Sequence, residues 1–204
     1  MTDDYLQYYD LESYLFGTVR QRFHKEKGKL NAFDLFSIII WKSERAKSRL
    51  AHRLIKQAGD LEAAAEGLTR DLFKANSSET RLTVVMEVWG FYLPMASAIL
   101  TVLWPEDFTV YDIRACEQLE ELEFGNFANL GNLSTKALWP KYLEYCDAVK
   151  RAVPQYPCLR DKDRFLWGRS AARQLVDDIA CGFSKPTEPS RELLGPLDQQ
   201  CPTA

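Results

Sequence analysis

Residues 89–112 read WGFYLPMASAILTVLWPEDFTVYD, and this stretch decides which fold the chain can adopt. Gly90 predicts the end of one helix, because glycine tolerates the positive φ that a helix terminus often needs. Pro94 fits the first turn of the next helix, where no backbone donor is required. Pro105 ends that helix, and Asp112 comes close to the start of another. The stretch therefore predicts two helices joined by a tight hairpin and followed by a carboxylate.

Helix signals continue on both sides of this stretch. Side chains of the N-cap type precede three predicted helices, and they are Asn31, Asp60 and either Ser77 or Ser78. The helix after Asn31 is apolar nearly all round at its start, which is typical of a central helix. Further helices are predicted from Leu61 to Gly67, from Pro140 to Val153 and from about Arg160 to Ala180. No stretch alternates long enough to predict a strand, so the sequence predicts an all-α fold.

The domain prediction is one helical domain over residues 1–183. Within it we expect a lobe of residues 31–122 to pack against the N- and C-terminal helices. Residues 184–204 contain four prolines and little periodicity. They are therefore predicted to be a disordered tail.

Composition narrows the possible functions. The formal net charge is −3, so binding to nucleic acid would depend on local positive charge. The five cysteines form no Cys-x-x-Cys pair, which argues against a metal site, an iron–sulfur cluster or a disulfide framework. We expect no cofactor, a cytoplasmic location with reduced thiols and no membrane association, since no apolar run reaches transmembrane length. The oligomeric state is left open.

The hairpin stretch resembles the helix-hairpin-helix DNA glycosylase superfamily. Members of that superfamily carry a Gly-hydrophobic-Gly hairpin, an alanine shortly after it, and a catalytic aspartate about twenty residues further on. Four residues match these positions: Gly90, Phe91, Ala96 and Asp112. Tyr92 stands where the second glycine would be. The resemblance spans residues 33–122.

The resemblance implies excision of a base from duplex DNA, with Asp112 as the catalytic carboxylate. A carboxylate can stabilise the oxocarbenium-like sugar or orient the attacking water. Gly90, Tyr92 and Leu93, with the following helix N-terminus, would hold a DNA phosphate. Bifunctional members carry a lysine where this chain has Pro94, so monofunctional hydrolysis is expected. Two simpler interpretations stay open, an ordinary N-cap role for Asp112 and a plain helix–helix turn that buries Tyr92.

Trp41, Lys42 and Ser43 end the apolar run that follows Asn31. In the superfamily this position carries Gln-Gln-Thr or similar and faces the DNA. Trp41 could stack on a base, and Lys42 could contact phosphate or, desolvated near Asp112, act as an amine nucleophile. The alternative is a core tryptophan beside a solvated lysine.

A basic segment begins at the same point. Its cations recur at helical spacing, and they are Lys42, Arg45, Arg49, Arg53 and Lys56. On one helix they would form a single stripe, which suits contact with successive phosphates. A solvated helix face is the other interpretation. The sequence thus favours a DNA glycosylase-like enzyme, with a non-catalytic helix-hairpin-helix DNA-binding module and a helical protein-interaction domain as alternatives.

Overall fold

A computed structural model of the chain describes residues 5–183. Helices occupy most of this range and no strand occurs within it, which confirms the all-α prediction. Among these helices, none combines the length and apolar composition that crossing a bilayer demands. The predicted tail, residues 184–204, lies outside the described residues. The helices group into two compact units.

The first unit comprises the described residues up to Tyr111 together with Cys158–Arg160. Its helices are α1 (Leu6–Tyr9), α2 (Leu11–Ser13), α3 (Arg20–Lys25), α4 (Ala32–Ser43), α5 (Lys47–Ala58), α6 (Leu61–Lys74), α7 (Ser78–Thr83) and α8 (Leu93–Leu103). π-Helical turns join α2 to α3 at Tyr14–Val19 and continue α7 at Val84–Val88. A 3-10 turn, Glu44–Ala46, separates α4 from α5.

The centre of this unit is α8, in which every residue except Pro94 is buried. Its apolar sequence explains this position, because a helix that is hydrophobic all round must be covered on all sides. Helix α4 packs against α8, as its own apolar start predicts. The two buried hydroxyls of α8 are satisfied, since Thr101 donates to the Ser97 carbonyl at 2.7 Å and Ser97 is itself hydrogen-bonded.

The predicted N-caps are confirmed. Asn31 accepts a hydrogen bond from the amide of Asp34, Asp60 from that of Ala63, and Ser77 from that of Thr80. Each bond satisfies a backbone donor that the first helical turn would otherwise leave unpaired. The start of each of these helices is therefore determined by residues within one turn of the cap.

The second unit comprises Asp112–Pro157 and the described residues from Asp161 onward. It contains α9 (Ile113–Glu121), the 3-10 turn Leu130–Asn132, α10 (Thr135–Ala152) and most of α11 (Leu159–Ala180). Its buried side chains include two tyrosines of α10, Tyr142 and Tyr145. The predicted lobe of residues 31–122 and the observed units thus have different boundaries, because α1–α3 group with the first unit and α9 with the second.

Two helices are longer than predicted. Helix α6 continues past Gly67 to Lys74, because Leu68 and Leu72 are both buried. Helix α10 begins before Pro140 rather than at it. The burial of Leu138, in the extra turn of α10, offsets the hydrogen bond that a proline inside the helix cannot donate.

Candidate functional site

The hairpin begins where the π-helical turn after α7 ends. Gly90 has a φ of 65°, the left-handed conformation predicted for it. The next amide, of Phe91, donates back to the Val85 carbonyl at 3.0 Å. Pro94 lies in the first turn of α8, also as predicted. Residues 89–93 thus form a tight connection between two helices.

Tyr92 occupies the N-cap position of α8 with an ordinary extended backbone, at φ −75° and ψ 156°. This conformation does not require glycine, so a side chain here costs no backbone strain. The ring is 40% exposed, unlike the buried tyrosine of the simpler interpretation. In the described chain, the amides of Tyr92 and Leu93 donate to no protein acceptor. They remain available to water or to a ligand at the positive end of α8.

Two side chains of α5 hold the hairpin from outside it. Arg53 donates to the carbonyls of Gly90 and Trp89, the second at 3.1 Å, and Gln57 donates to that of Val88 at 2.9 Å. These are carbonyls at a helix end, which lack partners within their own helix. The Arg53 guanidinium also lies over the Phe91 ring, 4.8 Å from its centroid. Burial lowers the pKa of Arg53. Through the hydrogen bonds of Arg53 and Gln57, helix α5 caps the backbone carbonyls of the hairpin.

Helix α6 holds the residue that precedes the hairpin. The Trp89 indole donates from Nε1 to the Asp71 carboxylate at 3.1 Å. Gly67 makes room for the ring, because a Cβ at that position would lie 2.9 Å from it. Gly67, which was predicted to end the helix, instead lies inside α6 and lets the Trp89 ring pack against it.

Asp112 is the N-cap of α9. Its Oδ1 accepts a hydrogen bond from the Arg114 amide at 3.0 Å, and the residue is half-buried. The N-cap interpretation of Asp112 is thus confirmed, while a catalytic role stays a prediction.

The chain immediately before Asp112 is anchored to α8. The Tyr111 amide donates to the Ser97 hydroxyl at 2.9 Å, and that hydroxyl donates to the Pro94 carbonyl at 3.2 Å. Ser97 therefore links the first turn of α8 to the residue that precedes the candidate carboxylate. Both Ser97 and Tyr111 are fully buried, which protects the link from competing water.

Arg114, two residues after Asp112, reaches the C-terminal helix α11. Its guanidinium donates to the Ser170 hydroxyl at 3.3 Å and to the Gln174 side-chain oxygen at 2.6 Å. It also lies 5.6 Å from the centroid of the Trp167 ring. The three partners recur at spacings of three and four residues, so they share one face of α11.

Trp41, Lys42 and Ser43 form the last turn of α4, and all three are half-buried. The Arg160 guanidinium covers one face of the Trp41 ring at 5.0 Å, and the Phe16 ring meets it edge-on. Arg160 is in turn paired with Glu12 at 3.0 Å.

The prediction of one continuous basic helix is wrong. Lys42 ends α4, and Arg45 lies in the 3-10 turn Glu44–Ala46, so neither shares a helix with the later cations. Only Arg49, Arg53 and Lys56 form a row on α5. Within that row Arg53 is bonded to the hairpin carbonyls, whereas Arg49 and Lys56 are exposed to solvent.

The predicted residues fall in both units. Gly90, Tyr92, Leu93 and the residues from Trp41 to Arg53 belong to the first, whereas Asp112 is the first residue of the second. The structure brings Arg53 directly to Gly90. Sequence reasoning missed the capping by Gln57, the anchor at Ser97 and the Arg114 contacts, because a residue type alone does not reveal a partner tens of positions away.

Comparisons with known proteins supply no relative: no family model matches the chain, and neither a curated protein nor a solved structure matches it. Within residues 5–183, no group of His, Cys, Asp and Glu side chains could hold a metal ion. Among the cysteines, Cys116 and Cys146 are buried, whereas Cys158 and Cys181 are exposed.

Proposed function

We propose that this protein binds duplex DNA and hydrolyses the N-glycosidic bond of an extruded base, with Asp112 as the carboxylate. The observation that carries the proposal is the way Asp112 is held. One carboxylate oxygen is fixed by the Arg114 amide, and the preceding residue is fixed by Ser97. A carboxylate whose oxygen is held by a hydrogen bond can meet developing positive charge without first reorganising, which is how preorganised groups stabilise a transition state.

The chemistry asks for one carboxylate and one water. As the bond from C1′ of the sugar to the base nitrogen breaks, its electron pair leaves with the base and the sugar gains oxocarbenium character. Asp112 stabilises that cation and orients the water, whose oxygen forms the new bond to C1′. The water proton passes to Asp112 or directly to the solvent, and the base takes up a proton as it leaves. The products are the free base and an abasic sugar.

The hairpin supplies the proposed anchor for the DNA backbone. The amides of Tyr92 and Leu93 lie at the N-terminus of α8, where the helix dipole favours an anion. Tyr92 is 40% exposed, and its hydroxyl can donate to the same phosphate. Gly90 precedes these amides, and Arg53 donates to its carbonyl.

The remaining predicted residues are assigned to the DNA backbone and the base. Arg45 and Arg49 are exposed and suit phosphate contact, and Ser43 can donate a hydroxyl. Lys42 is assigned to phosphate rather than to nucleophilic attack, because hydrolysis by water needs no amine. Trp41 is assigned to stacking on the base, although Arg160 and Phe16 already contact its ring.

Asp112→Asn is the decisive variant. Asparagine caps helices about as well as aspartate, so the fold should persist while the charge that stabilises the sugar cation is lost. The expected result is at least a hundredfold slower base release with an unchanged duplex Kd, since general acid–base groups contribute about 10²–10⁴ in rate. The measurement is release of uracil, an oxidised purine or an alkylated purine from labelled duplexes. Asp60→Asn is the matched control, because Asp60 caps α6 by the same kind of bond.

A non-catalytic DNA-binding module is the second candidate. It is favoured by Tyr92, whose side chain replaces the glycine that would let a phosphate approach most closely, and by Arg53, which is committed to carbonyls. This candidate predicts salt-sensitive duplex binding, no abasic product from any substrate, and no effect of Asp112→Asn. Absence of both base release and duplex binding would overturn the two candidates together.

A further inference from the structure

Arg114 differs from most arginines of the described chain in having no acidic partner. Nine others lie within salt-bridge distance of a carboxylate: Arg20, Arg22, Arg70, Arg81, Arg151, Arg160, Arg164, Arg169 and Arg173. Arg114 is bonded only to the neutral side chains of Ser170 and Gln174. Within residues 5–183, no carboxylate lies within 4 Å of its guanidinium.

The half-buried position of Arg114 makes this arrangement informative. Removing a cation from water is costly unless an anion compensates it. Hydrogen bonds to a hydroxyl and an amide orient the guanidinium but leave its charge uncompensated. A guanidinium held in place by neutral partners is preorganised to bind an anion that the protein itself does not supply.

The neighbouring contacts between α9 and α11 add to the positive charge. One carboxylate, that of Glu121, is shared by Arg169 and Arg173. Arg169 also donates to the neutral Gln118. The side-chain bonds of Arg114, Arg169 and Arg173 therefore involve a single carboxylate, that of Glu121, while Asp177 also interacts electrostatically with Arg173. Three cations against these acids favour an anionic ligand at the free end of the face, beside Arg114.

An aromatic ring lies beside the uncompensated cation. Trp167 is 49% exposed although it is one of the largest apolar side chains, and its ring contacts Arg114. An exposed ring next to a phosphate-binding guanidinium is a combination used to hold a nucleotide, because the ring stacks on the base while the cation pairs with the phosphate.

We propose that Arg114 and Trp167 form a second DNA contact, in which Arg114 binds a backbone phosphate and Trp167 stacks on an adjacent unpaired base. This inference rests on the proposed function for the identity of the ligand. It also sharpens that function, because Asp112 is bonded to the amide of the same Arg114. The carboxylate that meets the sugar and the cation that meets a phosphate would then bracket one nucleotide.

The test compares duplex binding by the full chain, wild type and Arg114→Gln, across about 50–200 mM salt. Loss of one phosphate contact should lower the slope of log K against log salt by about 0.9. Arg164→Gln is the matched control, since Arg164 lies on α11 but is exposed and paired with Asp161. Its slope should equal that of the wild type. An unchanged slope in Arg114→Gln, or an equal change in both variants, would overturn the inference.

A second variant keeps the test valid if Arg114→Gln fails to fold. Trp167→Ala alters a half-exposed ring, and it should weaken binding to a duplex with one extruded base about tenfold with little change in slope. Quenching of tryptophan fluorescence by the same duplex should be smaller in this variant than in the wild type. Unchanged affinity and quenching would exclude the stacking role.

The proposed function and the inference can fail separately. Base release by the wild type with a normal slope in Arg114→Gln leaves the function intact and removes the second contact. A lowered slope without any base release supports the contact and overturns the enzymatic proposal. No duplex binding by the wild type removes both.

Discussion

Arg53 and Arg114 are both half-buried, lie over aromatic rings and are bonded only to neutral groups, yet their partners differ in kind. Arg53 donates to the backbone carbonyls of Trp89 and Gly90. Arg114 donates to side chains of α11, next to an exposed tryptophan. Backbone carbonyls at a helix end have no partner within their own helix, and that of Trp89 belongs to a buried residue. The Ser170 hydroxyl is also buried but can bond a carbonyl of its own helix, and the half-buried Gln174 side chain can reach water.

The difference separates the arginine that holds the hairpin from the arginine that we propose to bind DNA. Removal of Arg53 leaves polar backbone atoms without partners, so its effect should appear mainly in stability. Removal of Arg114 leaves no backbone carbonyl without a donor, so we expect its effect mainly in binding. The basic segment that predicted DNA contact from the sequence thus contains an arginine whose first role is structural.

The largest stability effect is expected from Arg53→Met, which keeps the apolar stem but removes the donors. Hydrogen bonds from charged donors contribute about 1.5–3 kcal/mol each, so we expect a loss of about 2–3 kcal/mol after partial rehydration of the exposed Gly90. Urea denaturation measures it. Arg49→Met, on the same helix but exposed, should stay within about 0.5 kcal/mol of wild type. Equal losses in the two variants would remove the structural role of Arg53.

A smaller, pH-dependent effect on stability is expected at Tyr14, which shares the acceptor Asp34 with a third arginine, Arg22. Asp34 is fully buried and accepts hydrogen bonds from Arg22 and from the Tyr14 hydroxyl, the latter at 2.8 Å. Burial and the bond to Asp34 raise the pKa of Tyr14 to about 12. Tyr14→Phe should cost about 1–2 kcal/mol at neutral pH, because Asp34 loses a donor.

The sign of the pH dependence follows from that raised pKa. The folded state favours the protonated phenol, so the contribution of Tyr14 is complete below its ordinary pKa of 10.0 and is lost as pH rises toward 12. The difference in unfolding free energy between wild type and Tyr14→Phe should therefore narrow over this interval. A difference that stays constant across it would contradict the proposed burial of the hydroxyl beside Asp34.

The smallest effect is expected from Gly90→Ala. A Cβ at this position would lie 3.6 Å from Arg53, an ordinary contact, so only the left-handed backbone adds strain, about 1 kcal/mol. Thermal unfolding measures it. Gly168→Ala provides a control of opposite sign, because that glycine lies inside α11 with open space around it and alanine favours a helix. Stabilisation by Gly90→Ala would show that the hairpin does not need this conformation.

The parts of the fold that could be predicted are those with local causes. The caps at Asn31, Asp60 and Asp112 each bond an amide two or three residues away, so the pattern that predicts them is short. Gly90 and Pro94 restrict the backbone through their own φ angles. The predictions failed where distant burial outweighed a local signal, as for the turns of α6 beyond Gly67 and of α10 before Pro140.

The candidate site follows the same division. Asp112 and the hairpin were identified from spacing and residue type, but the bonds that hold them were not. Ser97 could have been noticed as a hydroxyl inside an apolar helix, where it needs a partner. Arg114 carries no such signal, because an arginine near the start of a helix is ordinary until its neighbours are known.

The sequence by itself determined the helical class, the turn at Gly90, the apolar core helix and the N-cap at Asp112, because each depends on residues within a few positions of one another. Tertiary structure alone decided the partners of each arginine, since Arg53 bonds a carbonyl 36 residues away and Arg114 a side chain 60 residues away. The sequence shows where a charged residue lies along the chain but not which groups surround it. Whether that residue holds the fold together or is available to a ligand depends on the groups that folding places around it.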